Sequence, residues 1–207
     1  MQISGENEEG MYSSAVATGL NDFAFSLSSQ LLKGEEDENF LCSPYSAWLP
    51  LAALSNVTDN ENREVLLDAL GQAGIATDDL SQESSRMLYE LNNEKQRDYN
   101  PSQHNTLQIA NALFVRQDQT VGSDFEQVFL EHYDGRIFSV DLSKQDAAVQ
   151  EINHWASEHT EGAVAASVAD PDEQFEMNCN RPFVFILCDG SCERENIVLF
   201  TGVVNNL

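Results

Sequence analysis

The stretch Met177–Leu187, MNCNRPFVFIL, changes from small and polar residues to an uninterrupted apolar run. Its second half continues to residue 188 as RPFVFILC, and a further apolar run, NIVLFTGVV, occupies residues 196–204. Short apolar runs bounded by polar residues are typical of buried strands. The chain is therefore predicted to end in two strands.

The residues before this stretch are mostly predicted to be helical. Apolar residues recur at helical spacing from Leu20 to Leu31, and Gly34 follows as a stop signal. Strands are predicted within residues 40–42, 106–116 and 137–142, and further helices at 44–54, 60–71, 81–93, from 123, and from 143 or 146 to about 162. Helices that come first and strands that come last indicate an α+β fold.

Three residue patterns add detail to these helices. Ser43 suits an N-cap and Pro44 the first helical position, while the interior Pro50 is expected to kink or locally disturb the same helix. Ser123 and Glu126 have the spacing of a capping box.

The charge balance restricts the partners of the protein. The 35 acidic and 10 basic residues give a formal net charge of -25, so nucleic acid and anionic membranes are poor partners. No apolar run reaches the roughly 18 residues that a membrane span needs. Residues 1–19 show no signal peptide and are interpreted as a flexible acidic leader.

Catalytic and cofactor motifs are absent from the sequence. There is no nucleophile elbow, phosphate-binding loop, dinucleotide fingerprint or H-E-x-x-H, and the four histidines are scattered. We therefore predict that the protein is not an enzyme and has no cofactor. An Asp-Gly turn would place Cys188 and Cys192 face to face, as a disulfide or as thiols, and a zinc site is disfavoured because no histidine is nearby.

Residues 177–187 resemble the C-terminal signature of serpins, the family of suicide protease inhibitors. The resemblance holds position by position through an apolar residue, a small residue and the family motif, at Met177, Cys179, Asn180, Arg181, Pro182 and Phe183. Other segments resemble serpins in the family's order, at residues 21–32, 39–54, 107–115, 152–164 and 197–207. The second of them matches the family's shutter region at Asn39, Ser43, Pro44 and Ser46.

The resemblance also implies that much of the fold is missing. A full serpin is much longer than this chain. In a full serpin several strands and helices lie between the helix that ends near residue 162 and the C-terminal signature, whereas this chain has only residues 163–176 there. The resemblance thus implies a single truncated serpin-like domain, 20–207, of the α+β class. It would have a helical N-terminal part (20–160), a partial central sheet and C-terminal antiparallel strands (177–207), with much of the family's central sheets missing.

The segment 161–176 is interpreted as a remnant of the family's reactive loop. Small residues are needed in the hinge of that loop because the cut loop must slide between two strands, and the matching residues are Glu161, Gly162, Ala163, Ala165, Ala166 and Ser167. The bait bond is predicted among Asp170, Pro171, Asp172, Glu173 and Gln174. A plain flexible linker is the alternative.

The resemblance implies a serine-type endopeptidase inhibitor that acts on a serine protease, or a cysteine protease, in an extracellular or cell-surface location. Trapping inserts the cut loop as a new strand, and no segment here matches the third and fifth strands that would flank it. The alternative is a non-inhibitory truncated serpin, either a binding or oligomerising module or a protease substrate. Exposed sheet edges would then favour self-association.

Overall fold

A computed structural model describes residues 14–33, 39–93, 109–141, 143–159, 183–188 and 196–204. Helix α1 spans Ser14–Leu32 and buries Val16, Ala17, Leu20 and Ala24 along one face. The helix begins six residues earlier than predicted, so residues 14–19 belong to the domain and were wrongly assigned to the leader. The reason is that Val16 and Ala17 extend the apolar face and are buried in the core.

Strand β1 (Phe40–Cys42) and helix α2 (Pro44–Leu54) confirm the predicted strand-to-helix boundary. The Ser43 side chain caps the helix by accepting a hydrogen bond from the Ser46 N–H at 3.2 Å, and Pro44 is the first helical residue. The helix continues through Pro50 to its last residue, so this proline does not end it.

Two helices follow α2. Helix α3 (Asn60–Ala69) is closed near Gly71, whose φ of 72° lies in the left-handed region that glycine adopts without strain. Helix α4 (Thr77–Asn93) begins four residues before its predicted start, because acidic residues in its first turn favour a helix N-terminus there.

Helix α5 (Ser123–Tyr133) corrects the predicted capping box. Its N-cap is Gly122, which has no side chain to cap with, and the Ser123 hydroxyl contacts the Asp124 carboxylate instead. Since Ser123 is already inside the helix, its side chain cannot play the N-cap role that the spacing with Glu126 predicted.

A parallel pair of strands forms one sheet. Strands β2 (Asn111–Arg116) and β3 (Gly135–Val140) pair in register from Asn111↔Gly135 to Arg116↔Val140. Helix α6 (Gln145–His159) covers one face, where Trp155 meets the Phe114 ring edge-on at 5.9 Å. The neighbouring cross-strand pair, Leu113 and Ile137, packs against the main core.

The C-terminal strands β4 (Phe183–Cys188) and β5 (Val198–Val204) join β1 in an antiparallel sheet of order β1-β5-β4. Cys188 lies opposite Val198, which confirms the predicted antiparallel hairpin of the last two strands, while its Asp-Gly turn and Cys192 lie outside the described residues.

The core lies between the helices and this sheet. Its four largest fully buried side chains come from α2 and α5 and are Trp48, Tyr45, Tyr133 and Phe129. The Trp48 indole N–H donates to the Leu70 carbonyl at 3.1 Å, which satisfies its polar atom inside the core. No helix among the described residues is long and apolar enough to cross a bilayer.

Candidate functional site

The predicted loop residues fall outside the part of the chain that the structure describes. This applies to the hinge (Glu161, Gly162, Ala163, Ala165, Ala166, Ser167), to the bait region (Asp170, Pro171, Asp172, Glu173, Gln174) and to Asn180, Arg181 and Pro182. The structure does describe the elements on either side of them, α6 and β4. Helix α6 ends at His159, and β4 begins at Phe183, opposite Val204.

The structure brings two of the predicted shutter residues together with the last strand. Ser43 Oγ lies 2.9 Å from Ser46 Oγ and 2.9 Å from the carbonyl oxygen of Leu199 in β5. These partners include no base, so the Ser43 hydroxyl joins the start of α2 to β5 and is not set up as a nucleophile. Pro44 is buried beside it, and Asn39 is exposed just before β1.

A second connection to β5 comes from Asn21 on α1. Its side-chain oxygen accepts a hydrogen bond from the Val198 N–H at 2.9 Å, and its amide nitrogen donates to the Asn196 carbonyl at 2.9 Å. One amide thus satisfies two backbone groups where β5 begins. Sequence reasoning missed this residue, because an asparagine on a helix carries no distinctive pattern.

A third connection surrounds Thr201 in the middle of β5. Its hydroxyl lies 2.6 Å from Ser28 Oγ of α1 and 3.2 Å from Cys42 Sγ of β1. Ser28 also bonds the Ala24 carbonyl at 2.7 Å. A threonine in the centre of the apolar run NIVLFTGVV is the one sequence signal that would have predicted a buried polar contact here.

An open groove of about 440 Å³ lies beside this contact, between α1 and the outer part of the sheet. Phe25 and Ile186 are half-exposed in it, and Ile186 is the cross-strand partner of Thr201. The remaining lining residues are Ser28, Ser29, Leu32 and Lys33. The groove is mostly apolar, and Lys33 is the one charged residue that lines it.

Aromatic rings pack together at the C-terminal end of α6. Trp155 stacks on His159 with ring centroids 4.6 Å apart, and the His159 ring nitrogen Nδ1 lies 2.8 Å from the Trp155 carbonyl oxygen. Phe114 and Phe138 stack below at 5.2 Å. The last turn of α6 is therefore anchored on the two-stranded sheet immediately before residue 160.

Most of the chain is similar in sequence to proteins of one known family. The family model described as Serpin (serine protease inhibitor) matches residues 18–172, which is more than half of the chain. Alpha-1-antiproteinase of Mus saxicola is 28% identical over 170 residues, which are 81% of this chain and 40% of that protein. The chain thus spans about 40% of the length of the curated relatives it matches.

Solved structures agree on the fold. Human thyroxine-binding globulin complexed with thyroxine superimposes with a TM-score of 0.64 at 26% identity, over 76% of this chain and 41% of that one. The native stressed conformation of Arabidopsis AtSerpin1 gives 0.65 at 19% identity, over 77% of this chain and 40% of that one. At such low identity the second likeness shows the fold alone.

Proposed function

Since the family model covers more than half of its residues, the chain belongs to the serpin family, and we propose that it presents 161–174 as bait to a serine protease. The protease would cleave this segment as a substrate and would be released. The small hinge residues and the family's protease-inhibitor description support a bait role. The same family likeness supports an extracellular location, and a cysteine protease is the second class of partner to test.

The observation that carries the substrate role is the two-stranded sheet under α6. A trapping serpin gains stability by adding the cut loop as a strand between two others. In the described part of this chain, β2 and β3 pair along all six residues, so a strand could take a place between these two only by separating them.

Both faces of this sheet are also occupied. Phe114 and Phe138 lie under Trp155, while Leu113 and Ile137 pack on the core. Parting the strands would break backbone hydrogen bonds and these contacts together, so insertion lacks a driving force. The segment is then cut without the conformational change that traps a protease.

The test is incubation with trypsin-, elastase- and subtilisin-like proteases and with a serine protease that cleaves after acidic residues. Denaturing gels and mass spectrometry of the fragments are the readouts. We expect a cut within 161–174, no covalent high-mass band, and full residual protease activity. A covalent band with loss of protease activity would instead establish the family's trapping mechanism.

A hinge variant separates the two mechanisms further. Ala165→Arg places a long charged side chain where insertion needs a small one, and Gln150→Arg on the exposed face of α6 is the matched control. For a substrate, a protease that does not cleave after arginine cuts both variants as fast as the parent, and the melting temperature does not rise after cleavage. A rise after cleavage that Ala165→Arg abolishes would contradict the substrate role.

A further inference from the structure

The charge of the protein is distributed unevenly over its elements. Helix α1 and the three strands β1, β4 and β5 contain one charged residue, Asp22, although the whole chain has 45. We call α1 and this three-stranded sheet the neutral layer. The rest of the chain therefore carries -24 of the net charge of -25, and Asp22 carries the remaining -1.

Strand β4 is the longer of the two edge strands in the sheet of the neutral layer. In the described residues it pairs with β5 alone, and its sequence FVFILC has no charged residue and no proline. Ile186 and Leu187 are 48% and 52% exposed. An edge with these properties lacks the usual protections against pairing with another strand.

The other described edges differ from β4. Strand β1, at the opposite side of the sheet, has only three residues, and short edge strands are poor templates for pairing. Strands β2 and β3 carry Arg116 and Arg136, and charged side chains discourage edge-to-edge association. The β4 edge is thus the most exposed template in the described structure.

The groove next to β4 enlarges this apolar surface. Phe25 of α1 is 50% exposed and lines the groove together with Ile186. A strand or side chain that docks on the β4 edge would cover both residues. The edge and the groove therefore form one surface.

We propose that this surface binds a second copy of the chain, with β4 of one copy pairing antiparallel to β4 of the other about a two-fold axis. Such a contact is self-complementary, because the same patch serves both partners. It also suits a chain of this charge, since the neutral layer is where two copies meet with the fewest opposed carboxylates. The inference is independent of the bait role.

The two-fold pairing makes a prediction about salt. Each copy has a formal net charge of -25, so long-range repulsion opposes association at low ionic strength and is screened when salt is added. We expect dimers of twice the 23.0 kDa mass to become more populated as sodium chloride and protein concentration rise. Sedimentation velocity measures both trends.

Two variants locate the contact. Ile186→Lys puts a charge at the β4 edge and should weaken dimerisation by at least about tenfold. Leu130→Lys, at a 41% exposed position on α5, is the matched control and should leave dimerisation unchanged. Dimerisation that resists Ile186→Lys, or monomers at every salt and protein concentration, would overturn the proposal.

Hydrogen exchange of the parent protein keeps the test valid if a variant fails to fold. Backbone amides of β4 should exchange more slowly as protein concentration rises, whereas those of β2 and β3 should not change. Concentration-dependent protection confined to β2 or β3 would show that copies meet at the other sheet and would refute the β4 contact.

Discussion

Asn21 and Val198 are 177 positions apart and are joined by a hydrogen bond of 2.9 Å between the Asn21 side-chain oxygen and the Val198 backbone N–H. The same side chain bonds the Asn196 carbonyl. The first helix therefore sets the point at which β5 enters the sheet. Since β5 in turn pairs with β4, this contact also positions the strand that follows the proposed bait segment.

Replacing Asn21 should destabilise the fold. Asn21→Ala leaves the Val198 N–H and the Asn196 carbonyl without their partner, and we expect the free energy of unfolding to fall by about 1–2 kcal/mol. Urea denaturation followed by circular dichroism measures the change. Gln30→Ala, on an exposed position of the same helix, is the control and should change it little. Equal losses in both variants would show that the contact contributes nothing specific.

A close approach of two glycines predicts a larger effect. A Cβ added at Gly19 of α1 would overlap the Gly71 carbonyl oxygen, so Gly19→Ala must push α1 away from the α3 terminus. Overpacking of this kind costs about 1–3 kcal/mol. The matched variant Gly122→Ala adds a Cβ with no atom within 4 Å, so in the same denaturation assay it should cost only the roughly 0.5–1 kcal/mol by which alanine is a poorer N-cap than glycine. A neutral Gly19→Ala would contradict the close packing.

These contacts show how far the sequence predicts the structure. Periodicity, the Ser43-Pro44 pair and the apolar C-terminal runs predicted the α+β class and most elements, because they depend on local chemistry. Asn21, Thr201 and Gly19 act on residues far away in the chain, and no local pattern reveals a partner at such a distance. The start of α1 was missed for a similar reason, since Val16 and Ala17 are buried against residues of other helices, which are distant in the sequence.

The same distinction applies to the candidate site. The family motif predicted the shutter serine, and the structure adds its partner, the Leu199 carbonyl. The hinge and bait residues stay predictions, because they lie outside the described residues. Only a resemblance identified them, since small residues followed by acidic ones are equally typical of a linker.

The buried phenol of Tyr133 predicts a loss of stability at high pH. Burial raises the pKa of Tyr133 above its usual 10.0, although its hydrogen bond with Ser81 partly opposes this. The unfolded chain therefore loses the phenol proton first, and stability falls as the pH rises above 10. Tyr133→Phe should reduce this fall while costing about 1 kcal/mol at neutral pH. Tyr89→Phe removes an exposed phenol and should leave the alkaline fall intact.

At acid pH the predicted response comes from Asp141, just after β3. The Ser143 hydroxyl, then the Lys144 ammonium at 2.9 Å, hold the pKa of this carboxyl at about 2, below its usual 3.8. A carboxyl with a lowered pKa in the folded state stabilises the fold above pH 3.8, and this contribution is lost as the pH falls toward 2.

Asp141→Asn should therefore lower stability at neutral pH and flatten its dependence on pH between about 4 and 2. Thermal melts at a series of pH values measure this slope. Asp68→Asn, which removes an exposed carboxylate without a described partner, is the control for the loss of one negative charge from an acidic chain. If the two variants have the same slope, the turn formed by Asp141 and Ser143 does not stabilise the end of β3.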